Sequence, residues 1–523
     1  MTTAGAQFEV GARVVHDEFG PGTVRRTRRE GRSLLVTFDS HPKLLLDVRS
    51  REVRAENGDE QKAASDRSRA PTTTPPTTES APACGAASVA TPRTIPRRRP
   101  FRRIEGGDID PALATAAART VEALRLGVVP HADLRASSVG RDRELGLVSD
   151  DLDQARETGA ARIFLGDYGT GKTHLLELIE HEARARNFLV GRVTLDAQYV
   201  QPNQPMRIYR AAASKLRYPP ESGAAAPGLE FLFRRAIADE ELMSEIERDE
   251  GPFSNHLYLA PALHYFRQLA NLDDPVPRDL LLDWISGQRP EGNRELDQSL
   301  RKLGKAGPTI YALKDFQPWA HIYSYMAGGL SALARRLGFE GLVLLLDEAE
   351  NYDLLGSAAR AFADSTFRCF VLAALGHDGV RFSESSIEKG GFGPQRRLPL
   401  LFNWPQNIYF VSAMTPSTAG EALLRSLVDD QFITELATLN IEDYHELSRR
   451  VVTLFEAAYP EMHVPAKLNR PLGDVLWSLI QLDHIQNPRE ATKLTIEFLD
   501  LLRHRPDSLN KFFEDVRKTM SSQ

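Results

Sequence analysis

Cysteine is nearly absent. The 523-residue chain has Cys84 and Cys369 alone. Cys84 falls in a stretch with little to bury, so neither a disulfide scaffold nor a cysteine-built metal site is in view. Long apolar runs are missing too. GLVLLLD at 341–347 is strand-sized, well short of a membrane span. The opening MTTAGAQFEVGARVV lacks the basic-then-apolar order of an export signal. These absences predict a cytoplasmic protein with no membrane association. There is no overall positive charge either. The net charge is -6, so any contact with nucleic acid has to be local. No internal repeat and no nuclease-like metal cluster stands out.

What is present is length, with composition shifts along it that divide the chain into several domains. Residues 1–55 carry short β-rich runs broken by Gly20-Pro21-Gly22 and Asp39-Ser40. They read as a small SH3/Tudor-like β-barrel, with the Gly-Pro-Gly as a tight turn between strands. Residues 56–103 are Pro, Thr and Ala followed by RTIPRRRPFRR, the composition of a disordered tether. From 104 to 435 the pattern is α/β. ARIFLG is a buried strand, GTGKTHLLELIEHEARARN a helix and FLVGRVTLD a second strand, which makes a unit of a parallel sheet. A largely helical insertion occupies about 200–330. Strands GLVLLLD and NIYFVSAM follow, with a helix over roughly 353–366 between them. Residues 436–523 read as a helical lid.

The chemistry starts at Gly166-Asp167-Tyr168-Gly169-Thr170-Gly171-Lys172-Thr173. It fits the phosphate-loop pattern at every fixed position, after a strand and at a helix start. Its glycines let backbone N–H groups turn inward around phosphate oxygens, and the helix N-terminus adds positive potential. Lys172 is expected to reach the β- and γ-phosphates, and Thr173 to ligate Mg²⁺. The bland alternative is a glycine-rich turn before a solvated lysine.

A second apolar strand ends in Asp347 and Glu348. Two acids at that place can be plain surface charge. Paired with the phosphate loop they suit Mg²⁺ held through water by Asp347, and a base, Glu348, for an attacking water. Glu350 stays open between a contact to a neighbour, a contact to DNA and a surface position.

The two motifs together resemble AAA+ ATPases of the initiator-like branch, which implies a P-loop parallel sheet with a C-terminal helical lid. The resemblance implies that Val139, Gly140 and Arg141 pack on adenine, and that His174 follows the loop within the nucleotide site. It puts a polar γ-phosphate sensor near Ser412, Thr415 and Pro416, with Ser412 favoured. Asn487-Pro488-Arg489-Glu490 looks like the second sensor, with Arg489 reporting to the lid; a helix-capping salt bridge is the other possibility for Arg489. Such enzymes work as rings, with an arginine donated across the interface. Arg368, Arg396, Arg397 and Arg425 are candidates, Arg425 first, and each also suits a purely structural role.

More closely, VEALRLGVVP, VGRDREL, FLGDYGTGKTHLLELI, LLLDEAEN and NPREATKL, over about 110–510, resemble the ATP-binding proteins of BREX phage-defence systems of the BrxC/BrxD type. The opening barrel resembles the Tudor-like domain at the C-termini of UvrD-type helicases and the polymerase-binding domain of CarD proteins. Arg25, Arg26, Arg28 and Arg29 crowd one hairpin of it, and arginine at that density suits phosphate contacts. A solvated hairpin is the alternative. These resemblances imply ATP and Mg²⁺ as cofactors. As partners they imply further copies of the chain in a ring, double-stranded DNA, and a helicase or other defence-system subunit. The competing function is a nucleotide-controlled scaffold that recruits a helicase or polymerase through the barrel without motor activity.

Overall fold

A computed structural model describes residues 12–16, 20–28, 33–38, 45–49 and 53–55. It then describes 111–505, apart from 128–137, 271, 289–292, 302–306, 314–318, 392, 466–467 and 483. The tether expected at 56–103 lies outside the described residues. The chain divides into two compact units, Met1–Pro96 and Arg97–Gln523.

The first unit contains strands β1 (Arg13–His16), β2 (Gly20–Arg28), β3 (Ser33–Phe38), β4 (Leu45–Arg49) and β5 (Val53–Ala55). They form one antiparallel sheet in the order β4-β3-β2-β1-β5. Closure of this sheet into a barrel is not among the described pairings. Gly20-Pro21-Gly22 is not a turn. It opens β2, with Pro21 opposite Val15 and Gly22 opposite Val14. A proline is tolerated there because the first residues of a strand can spare an N–H. Val14 and Val24 are fully buried. Arg25, Arg26 and Arg28 fall on β2, where a bulge between Val24 and Arg26 interrupts the pairing with β3. Arg29 lies outside the described residues.

The second unit is built on a parallel sheet of β6 (Ala160–Leu165), β7 (Leu189–Thr194), β8 (Leu342–Asp347), β9 (Ile408–Met414) and β10 (Ile433–Glu435). The order is β10-β6-β9-β8-β7, and all neighbours run parallel. Strands β6, β8 and β9 are buried along their whole length. That explains their predominantly apolar sequences, since both faces are covered. On one face Phe164, Val343, Leu345, Tyr409 and Val411 pack against α2 (Asp142–Glu157) and α3 (Lys172–Ala185). The strand residues between them face a larger cluster.

That larger cluster takes in the insertion helices α4 (Pro205–Ala213), α5 (Glu230–Ala238), α6 (Glu240–Glu247), α7 (Gly251–Ser254), α8 (Leu259–Leu269), α9 (Val276–Ile285) and α10 (Asn293–Arg301). It also takes in α11 (Ala320–Arg336), α12 (Ser357–Leu375) and α13 (Thr418–Leu427). The helical insertion therefore shares its core with the sheet. Where a helix was expected from 353, a short 3₁₀ turn over Ala349–Leu354 comes first and α12 begins at Ser357.

The lid consists of α14 (Ile441–Ala458), α15 (Asn469–Gln481) and α16 (Pro488–His504). Helix α1 (Pro111–Arg125), expected within the ATPase core, shares the lid's hydrophobic cluster. Ala117 and Val121 join Leu447, Val451, Phe455, Leu476 and Leu499 there. An ion pair of 2.9 Å from Arg125 Nη2 to Asp500 ties α1 to α16.

Candidate nucleotide site

A parallel sheet gathers the loops that follow its strands at one end. Here the chain leaves β6 into the glycine loop, β8 into the acidic motif and β9 into Thr415. Because β9 lies between β6 and β8, its end comes up between the loop and the acids.

The loop takes its shape from its glycines. Gly169 has φ +83° and Gly171 φ +91°, values that side-chain-bearing residues rarely adopt. Gly171 is the N-cap of α3, which begins at Lys172. Lys172 Nζ donates to the carbonyls of Gly166 (2.8 Å) and Asp167 (3.2 Å) and to Thr415 Oγ1 (2.9 Å). Thr170 Oγ1 closes the loop on the Asp167 carbonyl at 2.8 Å. Arg141, at the N-cap of α2, donates to the Thr170 carbonyl and, at 3.1 Å, to the carbonyl of Ala437. Burial pulls its basicity down, while Glu144 and Asp443 support the charge. Arg141 thus bolts the loop to the start of the lid. Gly140 has φ +64°, and a Cβ there would come within 2.7 Å of Leu439 Cδ2.

Asp347 is almost wholly buried. Burial raises its pKa; the hydrogen bond from the Thr173 side chain and the nearby Arg192 guanidinium, 3.8 Å away, work in the opposite direction. Glu348 has φ +60°, a conformation that costs a non-glycine residue of order 1–3 kcal/mol and persists where its surroundings enforce it. Asn351 enforces it, because its Nδ2 donates to the Glu348 carbonyl (3.0 Å) and to Leu195 (3.1 Å). Burial, then Glu350 and Asp347, raise the Glu348 carboxyl above the usual range. Glu350 is no simple surface residue. Its Oε1 accepts from Thr415 Oγ1 at 2.6 Å.

The cleft beside the loop is lined by the apolar Leu124, Val139, Leu439 and Leu447 and by the polar Lys172, Thr173, Glu348 and Arg489. His174 also lines it. Its Nε2 lies 2.5 Å from Ser138 Oγ, and burial, with the Arg141 charge beside it, pushes its pKa down to about 4, so the ring is neutral. Tyr168 stands on the loop with 80% of its surface exposed. Arg489 comes from the first turn of α16, whose N-cap Asn487 accepts from Glu490 N.

Two favoured side chains lie elsewhere. Ser412 is fully buried inside β9, opposite Leu346 and Ile163, and the residue that meets Lys172 is Thr415. Arg425 pairs with Glu421 (2.8 Å) and Glu435 (3.2 Å) and does not line the cleft. Arg368 lies over the Phe382 ring. Arg396 and Arg397 sit in a 3₁₀ turn over Gln395–Arg397.

These residues suit a metal-bound nucleoside triphosphate. A Cβ on Gly166 would come within 2.6 Å of Thr170 Oγ1, so the loop closes only around glycine. The hydroxyl–carboxylate pair Thr173–Asp347 is too small a donor set to hold a metal unaided, but it is what Mg²⁺ needs when phosphates and water complete its shell. Among the described residues no group of three or more His, Cys, Asp or Glu side chains is placed to hold a metal, and no helix is long and apolar enough to cross a membrane.

Residues 114–365 match the protein family described as BREX system ATP-binding protein BrxC/D. The match runs from α1 into α12. It includes the glycine loop and the Asp347–Glu348 pair, and it ends before β9 and the lid helices α14–α16. No curated protein matches the chain.

Proposed function

We propose that the chain is an AAA+ ATPase that hydrolyses ATP and acts on or near double-stranded DNA in BREX-type phage defence, as a homo-oligomeric ring or beside a helicase or other defence subunit. The observation that carries the proposal is the convergence of Lys172, Thr173, Asp347 and Glu348 at one end of the sheet, from loops that the strand order brings together. ATP with Mg²⁺ would supply the electrophilic γ-phosphorus. Thr173 and Asp347 would hold the metal. Lys172 would turn from its loop carbonyls to the β- and γ-phosphates. Glu348, with its raised pKa, would take a proton from water. Thr415, held at Lys172, suits the γ-phosphate sensor better than Ser412. Arg489, on the lid side of the cleft, suits the second sensor.

The division into two units favours a second reading, in which nucleotide controls assembly and the N-terminal sheet recruits a helicase or polymerase. ATPase rate and particle size, measured together with and without ATP and duplex DNA, separate the two. Stimulation by DNA supports the first and indifference to DNA the second. Lys172→Ala should abolish most ATP binding, and Glu348→Gln should bind ATP without turnover. Wild-type behaviour of both variants would sink the ATPase.

A further inference from the structure

Lys172, Thr415 and Glu350 form a chain of polar contacts across three elements. Lys172 Nζ donates to Thr415 Oγ1 at 2.9 Å, and Thr415 Oγ1 donates to Glu350 Oε1 at 2.6 Å. The second Glu350 oxygen, Oε2, is buried and finds no donor among the described residues. A hydroxyl has one proton to give. While Thr415 gives it to Glu350, it has none for a phosphate. Lys172, a lining residue of the cleft, is held by the same hydroxyl and by two loop carbonyls. The carboxylate also places negative charge next to the groups that would receive the terminal phosphate.

We propose that Glu350 is a specificity-determining latch that competes with the γ-phosphate for the Thr415 hydroxyl. It holds down affinity for ATP while leaving affinity for ADP untouched. The inference rests on the ATP-binding reading of the cleft. ATP engages the site by taking the Thr415 hydrogen bond from Glu350. ADP has no terminal phosphate to make that exchange and binds with the latch closed.

The test is calorimetric titration of the full chain with Mg·ATP and Mg·ADP, for the wild type, Glu350→Gln, Glu350→Ala, Thr415→Val and the double variant Glu350→Ala/Thr415→Val. The amide of Glu350→Gln keeps an acceptor for Thr415 but loses the charge. Glu350→Ala loses both. Glu350→Ala should bind ATP tighter than the wild type by roughly five- to tenfold, the scale of one released hydrogen bond, and Glu350→Gln by less, with ADP affinity within about twofold for both. In the Thr415→Val background the same change at Glu350 should gain nothing, because the exchanged hydroxyl is gone. Equal shifts for ATP and ADP would overturn the latch in favour of plain charge repulsion, as would a gain that persists without the hydroxyl. Unchanged or weaker ATP binding in the Glu350 variants would overturn it outright, with the nucleotide site intact. A wild-type chain that binds neither nucleotide would overturn the ATP-binding reading and the latch together.

Discussion

Gly169 and Asn487 stand so close that a Cβ on the glycine would lie 2.5 Å from the Cβ of the asparagine. The glycine is in the loop after β6, and the asparagine caps the lid helix α16, so loop and lid touch with no spare room. Gly169→Ala therefore meets both a left-handed backbone, at φ +83°, and a steric wall. The wall should push α16 and Arg489 away from the cleft. ATP affinity is expected to fall by about tenfold or more, while calorimetric unfolding shows only the roughly 1–2 kcal/mol that a side chain costs in this conformation. Asn487→Gly removes the opposing Cβ and costs an N-cap only a few tenths of a kcal/mol. It should restore part of the affinity in the double variant. Wild-type ATP binding by Gly169→Ala would show that the lid contact is irrelevant to the site.

A second buried pair holds the sheet to α2. Arg162 of β6 meets Asp151 through two contacts of 2.5 and 2.6 Å, and the Tyr409 hydroxyl donates to the same carboxylate at 2.8 Å. Both charged residues are at most 6% exposed. Asp151→Asn leaves the guanidinium buried without its counter-charge. It should cost on the order of 3–5 kcal/mol, whereas replacing all three polar groups (Arg162→Met, Asp151→Leu, Tyr409→Phe) should cost much less. Urea unfolding gives both numbers. A single variant within about 1 kcal/mol of the wild type would mean that water reaches the pair.

Strands β6, β7, β8 and β9 could be read in the sequence because buried parallel strands are predominantly apolar. The glycine loop could be read because its geometry admits so few residues. Strand β10 could not, since Ile433-Thr434-Glu435 is too short to carry a period. The tie of α1 to the lid rests on packing between segments more than three hundred residues apart, as in Arg125 with Asp500. No local pattern encodes that. The resemblance puts a polar sensor near the end of β9, with Ser412 favoured, but the sequence says nothing of depth along the strand. Thr415, the first residue after β9, is the one at the sheet's edge. Glu350 was undecided for the same reason, because its partner Thr415 lies 65 positions away.

Glu350 bears on Glu348 and so on hydrolysis. The Glu348 carboxyl is raised first by burial and next by the Glu350 charge, so neutralising Glu350 relieves Glu348. In Glu350→Gln the acid limb of the ATPase rate should move to lower pH, because a Glu348 freed of a neighbouring charge ionises more readily. Steady-state rates across pH, compared with the wild type, check the direction. A limb that stays in place or moves upward would remove the Glu350 charge from the environment of the base.

His256 sets a separate acid limit, on folding. The ring is almost completely buried. It is packed between Tyr325 and Phe402 with ring centroids 4.5 and 4.6 Å away, and against Gly329, where a Cβ would come within 2.1 Å of Nε2. Its Nδ1 accepts from the backbone N–H groups of Tyr258 (3.2 Å) and Leu259 (3.1 Å) and so serves the start of α8. A proton on Nδ1 would remove that acceptor. Burial pushes the His256 pKa down to about 3, against an unfolded value of 6.5. Between those two pH values the unfolded chain binds a proton that the folded chain refuses, so stability rises with pH across that window. The contribution is complete above the unfolded value and is lost as pH falls toward 3. It is on the order of 5 kcal/mol. Carboxylates add their own acid dependence, so the informative quantity is the difference between wild type and His256→Asn. The asparagine can still offer an oxygen to the helix start but does not titrate. It should be the less stable protein at pH 7.5, where the lost ring contacts dominate, and should close that gap steadily as pH falls below about 6. Urea unfolding at half-unit steps measures the difference. A gap that stays constant from pH 7.5 to 4 would mean that the folded protein admits a proton to this ring.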